Sequence, residues 1–219
     1  MDKDQPALLT NSLPARIAVD EATYLKVYAE QFYEWVDGVA IKMSPAGLKH
    51  NRLMIYLVNL LNAFFEVRPL GQCLTSPFIL YLPSIKNYRE PDLMVLLNGN
   101  VNELTETSMN GAPDICIEVV SEESVARDYA DKLVEYEAGG VPEYWLFDPI
   151  RQISYFYRLN ASGKYQPVQP DANGDYTTPI LPEFRLHVAH LWRDPLPGYF
   201  EIGEIVKAML IPPEAAKPE

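Results

Sequence analysis

The sequence predicts an α/β domain: one mixed β-sheet flanked by helices, with antiparallel strands at both ends. Three observations predict it. Residues 115–120 (ICIEVV) and 143–148 (EYWLFD) are short apolar runs separated by a polar, helix-forming stretch that Gly139-Gly140 stops. Strand, helix, strand makes a βαβ unit, so the two strands are expected parallel with a right-handed crossover. Residues 46–67 carry Leu53, Leu57, Leu60, Leu61, Phe64 and Phe65 at helical spacing, which predicts a long amphipathic helix. Asp37-Gly38 between two short apolar runs is a strong hairpin signal.

In chain order, residues 1–19 lack periodicity and read as a flexible arm, and residues 20–200 as one domain. Residues 20–31 suit a helix with Asp20 or Thr23 as N-cap. The long helix ends at Pro69 and Gly71. Residues 72–82 (QCLTSPFILYL) read as one strand and 92–98 (DLMVLLN) as another, followed by a polar loop to Pro113. After the βαβ unit come strands at about 152–159 and 163–168, joined by the NASGK turn. Residues 201–219 form a C-terminal segment whose last residues, PPEAAKPE, are expected to be disordered.

Composition narrows the classes. A chain of 219 residues can bury roughly 70% of the surface its unfolded form exposes, so it needs no disulfide or metal staple. No run approaches the roughly 18 apolar residues of a membrane helix, and the N-terminus lacks a signal peptide's apolar block. Cys73 and Cys116 sit in apolar runs and read as buried thiols of a cytoplasmic protein. The net charge of −12 counts against a constitutive nucleic-acid binder, which usually shows a basic footprint. Two cysteines and three histidines do not make a conventional zinc cluster. Neither a phosphate loop nor a Gly-x-Ser-x-Gly elbow is present.

Glu118 stands out because it interrupts a strand that otherwise reads as fully buried. A buried carboxylate needs a compensating cation or donors. Lys132 can supply one. A helix starting near Ser124 and running back along the strand carries Lys132 about 12 Å, at 1.5 Å per residue. That distance equals three to four strand residues at about 3.3 Å each and lands near Glu118. Asp92, after Pro91 at the head of another strand, offers a second carboxylate. Two carboxylates can hold a divalent metal through hard oxygen ligands, with a lysine orienting water or stabilising charge.

Pro91-Asp92 followed by Glu118-Val119-Val120 resembles the PD-(D/E)XK nuclease signature. With YEWVDG, MSP…H, PDLMVL, IEVVS…RD…DK…Y and GVPEYWLFDP, the chain over residues 20–190 resembles the Uma-two family. That family consists of restriction-endonuclease-like proteins common in cyanobacteria. The resemblance implies a restriction-endonuclease-like core, Mg2+ or Mn2+ on Asp92 and Glu118, hydrolysis of DNA, and a homodimer whose two sites cut both strands. The signature's lysine falls at Val120 here, and the family's helix-borne lysine matches Lys132. Glu34 and His50 also match the family's pattern: Glu34 as a further metal or water ligand, His50 as a residue lining the site.

Each residue also has a plainer reading. Glu118 can be a structural acid, Asp92 a strand start, and Lys132 one half of a surface pair with Asp128. His50 can be a surface polar residue and Glu34 a solvated hairpin residue. The rival function is a catalytically idle binding or assembly module on the same fold, which the net charge and Val120 favour. A glycoside hydrolase would need an aromatic sugar groove. An enzyme on DNA needs cations at the rim of its cleft, and Lys42, Lys49, Arg52, Lys86, Arg89 and Arg127 are the candidates.

Overall fold

A computed structural model describes residues 15–43, 45–121, 124 and 127–211 of the chain. Most of the expected N-terminal arm, residues 1–14, and the expected disordered tail, residues 212–219, lie outside the described residues.

Residues Arg16–Ala18, expected within the loose arm, form strand β1. Asp20 caps the short helix α1 (Glu21–Thr23) by accepting a hydrogen bond from the Thr23 amide at 2.7 Å, and the chain continues as a π-turn over Tyr24–Tyr28. Strands β2 (Tyr33–Val36) and β3 (Val39–Lys42) form the expected hairpin. Asp37 and Gly38 both adopt positive φ (48° and 79°), which the right-handed strand twist demands of a two-residue turn. Helix α2 (Leu48–Val67) follows as expected.

The run at 72–82 is two strands, not one. Strand β4 (Gly71–Thr75) and strand β5 (Ile79–Leu82) join different sheets. Pro77 lies between them, and a proline has no N–H to offer a continuous ladder. Strand β6 (Asn87–Arg89) precedes β7 (Leu93–Leu97), and the expected loop holds two short strands, β8 (Glu103–Leu104) and β9 (Ser108–Asn110). The βαβ unit comprises β10 (Ile115–Val119), helix α3 (Lys132–Gly139), entered through a π-turn at Arg127–Asp131, and β11 (Glu143–Asp148). β10 and β11 are parallel, and Gly140 ends α3 at φ 77°. A left-handed residue there is the common helix stop.

Strands β12 (Ile153–Leu159) and β13 (Tyr165–Val168) close one edge as an antiparallel hairpin. A small pair, β14 (Asp175–Thr177) with β15 (Arg185–His187), and helix α4 (Tyr199–Met209) complete the fold.

One sheet runs β13-β12-β11-β10-β7-β4 and the other β1-β3-β2-β6-β5-β9-β8. Alternation along β7, β10 and β11 divides the core. Leu93, Val95, Ile115, Ile117, Val119, Trp145 and Phe147 face α2 and α4. Met94, Cys116, Val120, Tyr144 and Leu146 face α3 and β5. Phe64 of α2 is fully buried between Phe65 and Phe184, and its replacement by alanine should cost about 3–5 kcal/mol. Two of the chain's passages from one sheet to the other run through Ser76-Pro77 and through Glu90-Pro91-Asp92. The Ser76 amide donates to the Asp92 carbonyl at 3.2 Å, so the two crossings lie side by side.

Candidate active site

The second crossing sets Asp92 at the seam. Leu93 pairs with Ile117 and Met94 with Cys116, and extending that register by one residue sets Asp92 opposite Glu118. Directly opposed residues of an antiparallel pair have Cβ atoms roughly 4.5–5.5 Å apart. The Asp92 carboxylate accepts a hydrogen bond from the Val119 amide at 2.8 Å through Oδ2, and His50 Nε2 of α2 lies 3.0 Å from that same oxygen. Both carboxylates line one cavity of about 720 Å³, together with His50, Arg127, Asp128 and Lys132.

Glu118 shares the strand face of Cys116 and Val120 and points toward α3. Lys132 Nζ lies 2.8 Å from its Oε2, and the Tyr136 hydroxyl donates to its Oε1 at 2.6 Å. Lys132 and Tyr136 are one helical turn apart, so α3 presents both to one carboxylate. Glu118, Lys132 and Tyr136 are 1%, 3% and 0% exposed.

Lys132 is shared. Its ammonium also lies 3.3 Å from Asp128 Oδ1 and 3.7 Å from Glu34 Oε1. Burial works against its charge, but Glu118, Asp128, Glu34 and Asp92 more than offset that and hold it firmly protonated. One cation cannot serve so many acids. Burial, together with the charges of Asp92 and Asp128, therefore raises the Glu118 carboxyl above its ordinary value despite Lys132. Asp128 is raised by burial in the same way. Asp128 is 1% exposed; its i,i+4 relation to Lys132 is part of a buried cluster and not a surface ion pair.

Glu34 comes from β2 in the other sheet. It is fully buried behind Lys132 and is not among the residues lining the cavity. Arg89 of β6 donates to it at 2.8 Å and forks onto Glu135 of α3 at 2.7 and 2.5 Å. Burial opposes the Glu34 charge, and Arg89, Lys132 and Arg127 overcome it and draw its carboxyl down to about 2. Arg89, expected on the rim, is thus a buried strut joining the second sheet to α3. Of the other rim candidates, Lys42 and Arg127 line the cavity, Lys86 is exposed in the β5–β6 turn, and Lys49 and Arg52 face a different cleft.

Sequence reasoning passed over Arg89 as a buried residue and Glu90 altogether, and it quoted Tyr136 within a motif but gave it no role. Tyr136, four residues after Lys132, carried a readable signal. Glu90 is 1% exposed with Oε2 unpartnered, and burial and the nearby Glu34 charge raise its carboxyl to about 7. Nothing in the REPD run (residues 89–92) marks it as buried.

Two fully buried acids outside the cluster, Glu143 and Asp148, are each compensated by a full set of donors. Glu143 accepts from Trp145 Nε1 at 2.8 Å, Tyr176 OH at 2.7 Å, Arg158 Nε at 2.7 Å and Thr178 Oγ1 at 2.6 Å. Asp148 accepts from two backbone amides, from Tyr129 and from Arg151. Glu118 has one neutral donor and a share of one lysine.

Among the described residues, no helix is long and apolar enough to cross a membrane. No curated protein matches this chain. A crystal structure described as a putative nuclease belonging to DUF820, from Anabaena variabilis, is similar to this chain with a TM-score of 0.59 at 17% identity. The match covers 78% of this chain and 90% of that one, and at this identity it bears on the fold. The Uma2 family model, described as "Putative restriction endonuclease", matches residues 21–189, and the chain belongs to that family.

Proposed function

We propose that this protein is a metal-dependent endonuclease that hydrolyses phosphodiester bonds in DNA, with Asp92 and Glu118 holding Mg2+ or Mn2+ and Lys132 assisting the attacking water. The observation that carries this reading is the difference between Glu118 and Glu143. Glu143, a fully buried acid, is saturated with donors, whereas Glu118 is left undercompensated on the wall of a cavity that Asp92 shares.

The donor set suits such an ion. Carboxylate oxygens are hard ligands, and among the described residues no three His, Cys, Asp or Glu side chains converge into a cage. Mg2+ is commonly held by one or two carboxylates, keeping several waters and taking substrate phosphate oxygens for the rest. When bound, the ion supplies Lewis-acid polarisation of the phosphoryl group and lowers the pKa of a bound water.

The chain's own residues do the remaining work. His50 and the Val119 amide fix Asp92 through one oxygen, and Tyr136 and Lys132 fix Glu118. Lys132 is held charged, so it acts as a donor that orients water and stabilises negative charge on the phosphoryl oxygens, not as a base. Arg89, by tying Glu34 to Glu135, holds the second sheet against α3 and keeps Lys132 in place. A homodimer would bring two such sites to the two strands.

The net charge of −12 favours an idle module instead. The other ground for that reading was the valine at position 120, and Lys132 brings an ammonium to Glu118 from α3. The test is a cutting assay on supercoiled plasmid, single-stranded circles and branched duplexes, with Mg2+ or Mn2+. Metal-dependent products from the wild type, absent with Asp92→Asn and Glu118→Gln, are expected. Equal products from all three proteins, or none on any substrate, would count against the nuclease.

A further inference from the structure

We propose that a second cleft, across α2 from the Asp92–Glu118 cavity, is a phosphate subsite for the DNA strand that passes through that cavity. The inference rests on the nuclease reading and specifies which part of the substrate this side of the molecule takes.

The cleft has a volume of about 700 Å³. Lys49, Arg52 and Tyr56 line it from α2, and Trp192, Arg193 and Tyr199 from the segment leading into α4. Lys49, Arg52 and Tyr56 are spaced i, i+3 and i+7 and share one helical face. Lys49 and Arg52 are exposed and have no ion-pair partner among the described residues, whereas Arg193 is paired with Glu201. Among the described residues, Asp194 is the one carboxylate in the wall. In a chain of net charge −12, two uncommitted cations beside one acid are a local reversal of sign.

Two further features ask for an anion that donates nothing and accepts several hydrogen bonds. Tyr56 is 3% exposed, and its hydroxyl is buried without a partner among the described residues. Leaving such a donor unmade costs about 1–3 kcal/mol, so a ligand oxygen there is favoured. Gly198, the N-cap of α4, supplies no side-chain cap, and Gly198 and Tyr199 line the cleft, so the first amides of the helix lie beside it without a side-chain partner. A helix N-terminus with free amides favours phosphate. Tyr199, 74% exposed, and Trp192 offer rings on which an unpaired base can stack.

The link to the first cavity is α2 itself. Ile55 and Asn59 line both cavities, so the two share a wall along one helix. His50 faces one side and Lys49 and Arg52 the other. A helix is about 10–12 Å across with its side chains, a span of roughly three nucleotides at the 3.4 Å rise of one strand. A strand held at Asp92 and Glu118 would need about that many nucleotides to cross α2 to the second cleft.

The test is the affinity of the full-length protein for a fluorescein-labelled octathymidylate, read by anisotropy in EDTA so that nothing is cut. The Lys49→Ala/Arg52→Ala double variant should bind at least tenfold more weakly. Its salt dependence should flatten by about 0.7 in slope for each phosphate that the variant no longer neutralises. Tyr56→Phe, which keeps the ring, should weaken binding about threefold or more, and Lys207→Ala on the exposed face of α4 should not. Inorganic phosphate should compete with the oligonucleotide. Unchanged affinity in the double variant would overturn the proposal, as would a wild-type chain that does not bind the oligonucleotide. Loss of phosphate binding with unmoved oligonucleotide affinity would overturn it too, by assigning the cleft to a free anion. Because the assay needs no metal and reads no cleavage, it can fail while the nuclease stands, and succeed while the nuclease falls.

Discussion

Lys132 Nζ and Glu118 Oε2 are 2.8 Å apart, yet the lysine comes from a helix and the glutamate from the middle of the strand beneath it. The pair answers why an apolar strand carries an acid: α3 brings one cation, and that cation is divided among Glu118, Asp128 and Glu34. The cluster is thereby left short of positive charge beside Asp92. Each consequence of that shortage can be measured.

Lys132→Met removes the shared cation and leaves three buried acids facing one another. Removing one partner of a buried ion pair costs about 3–5 kcal/mol. Urea denaturation at pH 8 should show a loss of that order, together with loss of cutting. A change below about 1 kcal/mol would mean that Lys132 does not compensate the cluster.

Tyr136→Phe tests the second partner of Glu118. The hydroxyl is fully buried and donates to Glu118 at 2.6 Å, so its removal strands a carboxylate oxygen. Stability should fall by about 1–3 kcal/mol. A neutral result in the melting curve would place Glu118 in a wetter environment than the packing of α3 allows.

His50→Ala leaves Asp92 held by the Val119 amide alone. Partners that orient a metal ligand typically contribute 10–100-fold in affinity or activity. Mn2+ affinity should drop within that range while the melting temperature moves little. Unchanged affinity would make His50 a bystander on the cavity wall.

Stability of the metal-free protein should fall between pH 5 and pH 8. Burial, with the Glu34 charge, raises Glu90 from 4.5 to about 7, and burial raises Glu118 as well. A carboxyl raised in the folded state holds its proton where the unfolded chain has lost it. Its contribution is complete below the unfolded value and disappears as pH climbs through the folded one. For Glu90 that window runs from 4.5 to about 7 and amounts to about 3 kcal/mol at 1.36 kcal/mol per unit. Glu34 runs the other way: drawn down to about 2, it contributes above 4.5 and is lost as pH falls toward 2. Melting in EDTA should therefore be lower at pH 8 than at pH 5, and Glu90→Gln should flatten the difference. Higher stability at pH 8 would contradict the account.

What was legible in the sequence was local. Asp37-Gly38 dictates its own hairpin, the apolar stripe of α2 needs no partner to be seen, and Gly139-Gly140 stops α3. Lys132 meets Glu118 as expected but by another route, because the helix expected from Ser124 starts at Lys132, after a π-turn at Arg127–Asp131. What was hidden depended on which sheet a strand joins. The split of residues 72–82 at Pro77, the buried fate of Arg89 and the withdrawal of Glu34 behind Lys132 all follow from two sheets meeting at a seam. Helix α4 was missed despite a readable stripe, Ile202, Val206 and Met209, that packs against the α2 side of the core. Lys49 and Arg52 were expected on the rim of the Glu118 cleft, but α2 carries them to its opposite side.

The most direct test of the central claim is a calorimetric titration of Mn2+ into the wild-type protein, Asp92→Asn and Glu118→Gln. The account predicts one site in the wild type and its loss in both variants, which would put the two carboxylates on one ion. Equal weak binding by all three would contradict it and leave Glu118 a structural acid in an idle module.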